Sequence, residues 1–155
     1  ASSASAAMSR MIGLVGRNPI FASAVKLIIS QRLVRRLDPQ SRQAYKPSEA
    51  LVQHFKEHLS DLPAKVKLPQ DLNNFQLYTP GKSAENPFGY KGRTSIIEEL
   101  MIGPEIQDLL NQEVSPTAQQ LEAAAKKQGM VTMYQVGLIK CLAGETTLEE
   151  INRVL

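Results

Sequence analysis

Several features that would assign a chain to a class of protein at once are scarce in this sequence. It has one cysteine, no tryptophan and only 5% aromatic residues among its 155 residues. A single cysteine excludes an internal disulfide and is typical of a reducing compartment, so we expect a cytoplasmic protein. The shortage of aromatic rings leaves few platforms on which single-stranded nucleic acid could stack.

Membrane and export signals are also missing. No apolar run approaches the roughly 18–20 residues that span a bilayer, and residues 1–7 lack the charged-then-apolar order of a secretory signal. The apolar fraction of 43% and the charged fraction of 21% are ordinary for a globular domain. A chain of this length can bury the core of one domain.

Positive charge is concentrated in one stretch, although the net charge is only +3. Five basic residues lie close together in the sequence: Lys26, Arg32, Arg35, Arg36 and Arg42. Such a cluster attracts phosphates, acidic lipid headgroups or an acidic protein face. An equally weighted alternative is a solvated edge strand whose arginine stems cover apolar surface.

Apolar periodicity and punctuation predict an α/β chain that is predominantly helical. Asn18 caps a helix with Pro19 at its first position, and its buried stripe is Ile20, Ala24, Leu27 and Ile28. Thr147 and Glu150 form a capping box for the last helix. Helices are predicted over 5–14, 18–28, 48–59, 104–111, 116–128, 132–142 and 147–154, and strands over 31–37, 75–78 and 93–100.

A proline-rich, irregular segment divides the chain into three parts. Residues 38–92 are predicted to be a subdomain inserted between a first part, 1–37, and a last part, 93–155. Because both flank the insert, the strands at Leu33–Leu37 and Thr94–Glu99 are expected to pair antiparallel. The helices from Pro104 onward are expected to pack as a bundle beside that ribbon.

One short motif resembles a phosphate-binding loop but does not meet its requirements. Gly81-Lys82-Ser83 matches the end of such a loop. The position that needs the first glycine holds Gln76, and Pro80 removes a backbone donor. We therefore reject a nucleotide site there.

A second motif fits an inverted zinc-protease pattern. His54 and His58 stand one helical turn apart with Glu57 between them. A catalytic zinc needs a third protein ligand, which here would have to be an unspecified carboxylate because the chain has no other histidine. We therefore interpret this stretch as an exposed helix face and not as a zinc site. Cys141 lies among apolar residues and is interpreted as a small core residue. The residues alone therefore predict no catalytic site.

Several stretches together resemble the type II secretion and type IV pilus assembly ATPases, the secretion ATPase E family of RecA-like hexameric motors. The similarity runs from about residue 5 to residue 155 and is weak only between residues 43 and 75. The stretches that carry it are Ser5–Ile12, Phe21–Val25, Gln31–Leu37, Gly89–Thr94 with Glu98, Gln128–Met130 and Leu142–Glu150.

The resemblance implies the C-terminal part of a RecA-like ATPase domain, with a small antiparallel strand pair and a helical end. The family's phosphate-binding loop, acidic boxes and histidine box would precede residue 1. This part alone is therefore expected to be non-catalytic, while the parent would use ATP and magnesium. Related retraction motors lack the insert, which favours the secretion or pilus assembly branch.

The expected partners follow from the same resemblance. They are neighbouring subunits of a homohexamer and the inner-membrane platform protein, with no nucleic acid. The protein would lie in the cytoplasm, peripheral at the inner membrane. The alternative function is a stand-alone, non-catalytic adaptor module with a basic surface.

Two sets of residues are candidates for functional sites. For subunit contact or proximity to the nucleotide, the resemblance favours Gln31, Arg32, Arg35 and Arg36, although a structural role is equally weighted. Many family members hold a zinc ion with two cysteine pairs, and the equivalent positions here are Asp38, Ser41, Lys82 and Glu85. Because serine is a poor zinc ligand and a lysine ammonium has no lone pair, no zinc is expected. Our hypothesis is a polar replacement in which Lys82 pairs with Asp38 or Glu85.

Overall fold

The computed structural model describes residues 2–16 and 18–155. Over these residues it is a mixed α/β structure with the seven helices that the sequence predicts and four strands, one more than predicted. The helices are α1 (Ala4–Val15), α2 (Pro19–Ala24), α3 (Glu49–Leu59), α4 (Pro104–Asn111), α5 (Ala118–Lys127), α6 (Met133–Leu142) and α7 (Leu148–Val154). The strands are β1 (Leu27–Leu37), β2 (Gln43–Tyr45), β3 (Leu77–Thr79) and β4 (Tyr90–Met101).

Most helices begin where the sequence places a capping residue. The side chains of Ser3, Asn18, Ser48, Thr117 and Thr147 each accept a backbone N–H at the start of their helix. These caps satisfy donors that have no partner within the helix. No helix among the described residues is both long and apolar enough to traverse a lipid bilayer.

The predicted helix over 18–28 is wrong in its second half. α2 ends at Ala24, Val25 is extended (φ −75°, ψ 126°), and Leu27 and Ile28 belong to β1. The predicted buried stripe also fails, because Ile20 is 75% exposed and Leu27 is 42% exposed. Pairing of β1 with β4 overrides the helical spacing here, and the β-branched residues Ile28 and Ile29 favour an extended backbone.

β1 and β4 form the predicted antiparallel ribbon. The amide of Ile102 donates to the carbonyl of Lys26 at 2.9 Å, and the amide of Asp38 donates to the carbonyl of Gly89 at 3.0 Å. The start of one strand therefore lies beside the end of the other. β4 has 12 residues against 11 in β1, and Gly92 has a φ of 74°. We interpret Gly92 as a bulge that accommodates the extra residue.

A second, smaller antiparallel pair lies in the predicted insert. Gln43 pairs with Thr79 and Tyr45 pairs with Leu77. The predicted strand over 75–78 is thus displaced towards Leu77–Thr79, and β2 was not predicted. Three exposed residues give β2 no alternation of apolar and polar side chains from which a strand can be read.

The chain folds as two compact units. Unit 1 comprises the described residues of Ala1–Gln31 and Ile97–Met133, and unit 2 comprises Arg32–Ile96 and Tyr134–Leu155. Residues 38–92 all fall in unit 2, and the three-part division of the chain stays a prediction. The single bundle expected from Pro104 onward is wrong, because α4 and α5 belong to unit 1 while α7 and most of α6 belong to unit 2.

Each unit has its own core. In unit 1, α1, α5 and the end of β4 share a buried cluster: Ala4, Met8, Ile12, Leu100, Ile102, Ile106, Leu121, Ala124, Ala125 and Met130. In unit 2, the apolar residues buried include Val34, Leu37, Phe55, Phe75, Leu138, Leu142 and Ile151. The ring centroids of Phe55 and Phe75 lie 5.3 Å apart, and this contact packs α3 against the rest of the insert.

Candidate functional site

The basic residues of β1 have different roles in the structure. The Arg35 guanidinium donates to the Glu150 carboxylate at 2.5 Å and lies 4.3 Å from the centre of the Tyr90 ring. Arg36 is exposed, and no side chain among the described residues pairs with it. Gln31 and Arg32 also have interactions within the structure. Arg35 therefore has a structural interaction although its side chain is half-exposed, and a role in subunit contact stays a prediction for both Arg35 and Arg36.

Glu150 is the centre of this arginine–glutamate cluster, which consists of Arg35, Glu150 and Arg153. Only 2% of Glu150 is exposed. Its carboxylate accepts the Arg35 backbone N–H at 3.0 Å and two N–H groups of Arg153 at 3.1 and 2.8 Å. Burial raises the pKa of this carboxyl, but the hydrogen bonds from Arg153 and Arg35 outweigh burial and lower the pKa from 4.5 to about 2.

The predicted capping box at Thr147 is only half formed. The Thr147 hydroxyl accepts the Glu150 backbone N–H at 3.3 Å. The Glu150 side chain does not return this contact, because it binds the two arginines instead. The motif correctly predicts the start of a helix. One of the arginines that pair with its glutamate, however, comes from β1, and no local pattern indicates it.

The segment that links α6 to α7 attaches to the end of β1. The Leu37 amide donates to the Glu145 carbonyl at 2.8 Å, and the Thr146 hydroxyl donates to the Arg35 carbonyl at 2.9 Å. Gly144 ends α6 with a φ of 70°, a conformation that glycine adopts readily. The stretch 142–150 is thus hydrogen-bonded to the end of β1 and holds that strand in place.

The four positions equivalent to the zinc cysteines lie in two loops that pack closely. A Cβ atom at Gly81 would overlap the carbonyl oxygen of Ser41. The Ser41 amide donates to the Asp38 carbonyl at 3.2 Å, which closes the first loop. Lys82 and Glu85 lie in the second loop, and both are exposed.

The predicted pairing of Lys82 is wrong. Among the described residues, Lys82 forms no ion pair with Asp38 or Glu85. Asn86 takes the expected place of the lysine: its amide donates to the Asp38 carboxylate at 3.2 Å and to the Tyr90 carbonyl at 2.9 Å. An amide reaches both groups from within the loop, whereas the lysine ammonium stays hydrated at the surface.

The donor set does not fit a zinc ion. The Asp38 carboxylate accepts the Gln40 backbone N–H at 3.1 Å as well as the Asn86 amide. The Gln40 hydrogen bond is the main reason why the pKa of Asp38 lies below its usual value of 3.8, although burial opposes it. Lys82 offers no lone pair. Among the described residues, no three His, Cys, Asp or Glu side chains come together in a metal-binding arrangement.

Glu98 is a second buried carboxylate, and it accepts two backbone amides within unit 1. Only 2% of it is exposed. It accepts the Ala4 amide at 2.8 Å and the Met133 amide at 2.9 Å, at the first residues of α1 and α6. A carboxylate at two helix N-termini is stabilised by their free N–H groups. From the sequence, Glu98 is predicted to be a structural residue of the ribbon, but its two partners are distant in the chain and no local pattern indicates them.

The Gly81-Lys82-Ser83 motif has no phosphate-binding geometry. Residues 80–89 form an irregular loop that leads into β4 rather than into a helix. Phosphate-binding loops of this kind direct backbone N–H groups at the start of a helix towards the phosphates. The described part of the chain therefore offers no such cradle at this motif.

Comparison with known proteins relates the chain to one family. A family model described as type II/IV secretion system protein matches residues 1–153. The chain is 35% identical over 151 residues to type II secretion system protein E of Xanthomonas campestris pv. campestris. It is 32% identical over 146 residues to the type IV pilus assembly ATPase PilB of Acinetobacter baylyi, and 32% identical over 153 residues to the putative type II secretion system protein E of Escherichia coli K12.

These alignments cover most of this chain but a small part of each relative. They include 97%, 94% and 98% of the chain, and 25%, 23% and 28% of the three relatives in the same order. The chain thus spans about a quarter of the length of the curated relatives it matches. Because the family model matches nearly every residue, this chain belongs to the type II/IV secretion system protein family.

Proposed function

We propose that the chain is the C-terminal part of a hexameric cytoplasmic ATPase that powers type II secretion or type IV pilus assembly. It would contribute subunit contacts and coupling, while the ATP site would lie elsewhere in the protein. The observation that carries this proposal is the match of nearly the whole chain to about a quarter of proteins named as secretion proteins E and pilus assembly ATPases. A RecA-like core shared with the rest of the ATPase is part of the same proposal.

The state of the acidic residues supports a non-catalytic role for this part. Two carboxylates that are almost fully buried, Glu98 and Glu150, are each held by at least two protein donors. Both oxygen atoms of each carboxylate accept a hydrogen bond from the protein. ATP and magnesium would therefore bind to the remainder of the proposed protein.

A contact role is supported by the exposed basic residues near the ends of the ribbon. Arg36, Lys91 and Arg93 are all exposed, on β1 and β4 of unit 2. Arginine is enriched in protein interfaces because its guanidinium makes several directed hydrogen bonds. The partners in this proposal are a neighbouring subunit of a homohexamer and the inner-membrane platform protein of the system.

A chimera tests the proposal. The matched quarter of the Xanthomonas campestris protein E is replaced by this chain, and a truncated protein without that quarter is the control. We expect ATP hydrolysis and hexamer formation by the chimera, and neither by the truncated control nor by the 155-residue chain alone. ATP turnover by the chain alone, or an inactive monomeric chimera that is folded, would contradict the proposal.

Nucleic-acid binding by the 155-residue chain tests the alternative, a stand-alone adaptor with a basic surface. If the basic residues bind nucleic acid, the logarithm of the affinity falls with the logarithm of the salt concentration, and its slope counts the neutralised phosphates. Our proposal expects no binding of DNA or RNA by the chain. A steep slope would support the alternative.

A further inference from the structure

The last two turns of α3 carry the chain's only two histidines, and the structure brings their rings together. The centroids of the His54 and His58 imidazoles lie 4.2 Å apart with an interplanar angle of 37°. Tyr134 of α6 lies beside both rings, 6.1 Å from His54 and 5.2 Å from His58 between centroids. All three residues belong to unit 2.

Hydrogen bonds define which ring nitrogen of His58 is free. His58 Nδ1 lies 2.9 Å from the carbonyl oxygen of His54. A carbonyl only accepts, so Nδ1 carries the proton and the lone pair is on Nε2. A histidine whose second nitrogen donates to a backbone carbonyl is the arrangement usual for metal ligands. His58 is also exposed, which leaves Nε2 open to solvent.

His54 is half-buried. Burial lowers its pKa, and the neighbouring His58 lowers it further, while Glu57 opposes both. Its Nε2 lies 2.8 Å from the Tyr134 hydroxyl. The tautomer of His54 decides which of the two groups donates in this hydrogen bond. A metal ion bound to His54 Nε2 would displace this hydrogen bond.

The spacing of the rings suits a shared ion. With metal–nitrogen bonds of about 2.1 Å, two imidazoles on one ion have centroids about 5 Å apart. The observed centroid separation of 4.2 Å is shorter than that value, so ligation of one ion by both Nε2 atoms would require the rings to rotate apart. The backbone is fixed at this point, because the Gln135 amide donates to the His58 carbonyl at 2.9 Å and to the Asp61 carboxylate at 2.7 Å.

We propose that His54 and His58 form a two-imidazole binding site for a divalent transition-metal ion such as Zn²⁺, with water in the remaining coordination positions. The site lies on one face of α3 and uses none of the four positions equivalent to the family's zinc cysteines. Binding would brace the last turns of α3 in the insert. Imidazole prefers zinc, nickel and copper over magnesium or calcium, so the hard cations should not bind.

The composition of the chain makes the site easy to observe. With two histidines, the side-chain nitrogen spectrum contains two imidazoles. The one thiol does not compete, because Cys141 is buried and burial raises its pKa to about 12. Long-range ¹H–¹⁵N spectra of the ¹⁵N-labelled 155-residue chain, titrated with Zn²⁺ at about pH 7.5 where imidazole is mostly neutral, therefore report ligation directly.

We expect Zn²⁺ to shift Nε2 of both histidines together, with saturation at one ion per chain, and Mg²⁺ to shift neither. His54→Gln and His58→Gln should each weaken Zn²⁺ binding by more than about tenfold, since a lost ligand costs at least as much as a lost supporting group. Tyr134→Phe should bind Zn²⁺ at least as tightly, because it removes the competing hydroxyl. Unchanged imidazole shifts at excess Zn²⁺, or full affinity in His58→Gln, would overturn the proposal.

Discussion

At the scale of single residues, the side chains that matter most here are those whose partners lie far away in the sequence. Glu150 illustrates this. Its position three residues after Thr147 predicts a local cap, but its carboxylate binds Arg35, 115 residues earlier in the chain. A buried carboxylate with two guanidinium partners is stabilised only while it is ionised.

The first prediction concerns Glu150→Gln. Loss of the charge weakens four hydrogen bonds, three of them from the half-exposed guanidinium groups of Arg35 and Arg153, so the free energy of unfolding should fall by about 1–3 kcal/mol at neutral pH. The pKa of the folded protein, about 2, lies below the ordinary value of 4.5. The wild type should therefore keep this stability above pH 4.5 and lose it as the pH falls towards about 2. The variant should show no such loss over that interval.

Urea unfolding followed by the near-ultraviolet circular dichroism of tyrosine measures this effect. All four tyrosines, at positions 45, 78, 90 and 134, lie in unit 2 with Glu150. Glu149→Gln is the matched control, because the carboxylate of Glu149 is exposed and adjacent in sequence to Glu150. Parallel pH profiles for the wild type and Glu150→Gln would show that the cluster does not hold this carboxylate.

Asn86 gives the second prediction at this scale. Asn86→Ala removes three hydrogen bonds, to the Asp38 carboxylate, the Tyr90 carbonyl and the Gly89 amide. We expect a loss of about 1–2 kcal/mol and faster amide hydrogen exchange in residues 38–42 and 83–90. Lys82→Ala should leave exchange unchanged. Equal effects from both variants would restore the lysine hypothesis.

At the scale of elements, boundaries follow caps closely, and errors arise where strand and helix signals compete. α4 begins and ends where the sequence predicts, and α3, α5, α6 and α7 differ from their predicted bounds by one or two residues at either end. The helix prediction is wrong over residues 25–28 because their apolar spacing fits either a helix or a strand. Only the presence of β4 alongside resolves that ambiguity, since a strand needs a partner.

The third prediction tests the junction of two helices at Glu98. Glu98→Gln places an amide where two backbone N–H groups converge, so one donor loses its acceptor and the helix dipoles lose their counter-charge. We expect a loss of about 2–3 kcal/mol in the free energy of unfolding and faster exchange at the starts of α1 and α6. Far-ultraviolet circular dichroism in urea and hydrogen exchange measure these two effects.

Glu99→Gln is the matched control, because Glu99 is the adjacent, exposed residue of β4. It should change stability by less than about 0.5 kcal/mol. If the two variants were equally stable, the Glu98 carboxylate would not be the group that holds the Ala4 and Met133 amides.

At the scale of the whole molecule, three of the four candidates for subunit contact, Gln31, Arg32 and Arg35, have interactions within the structure. Arg35 is bound to Glu150, while Arg36 is exposed without a partner among the described residues. A charge reversal at a protein interface costs several kcal/mol through like-charge contact or lost pairing. Arg36 is therefore the residue whose substitution should affect assembly and not folding.

The fourth prediction uses the chimera described above. Arg36→Glu should lower ATP hydrolysis by about tenfold or more, equivalent to about 1.4 kcal/mol, through weaker assembly. Its unfolding midpoint should stay unchanged. Lys67→Glu is the control, an equal charge reversal at an exposed loop position of the same unit. Equal activity of the two variants would remove Arg36 from the proposed interface.

The sequence by itself determined the mixed α/β class, most helix boundaries, the antiparallel β1–β4 pair and the family, because caps, periodicity and motif spacing are local properties of the chain. The tertiary structure decided the rest: the strand at 27–30, the division into two units, and the partners of Asn86, Glu98 and Glu150. Those partners are 48, 94 and 115 residues away in the sequence. A contact over such a distance exists only after the chain has folded, so no local pattern carries it.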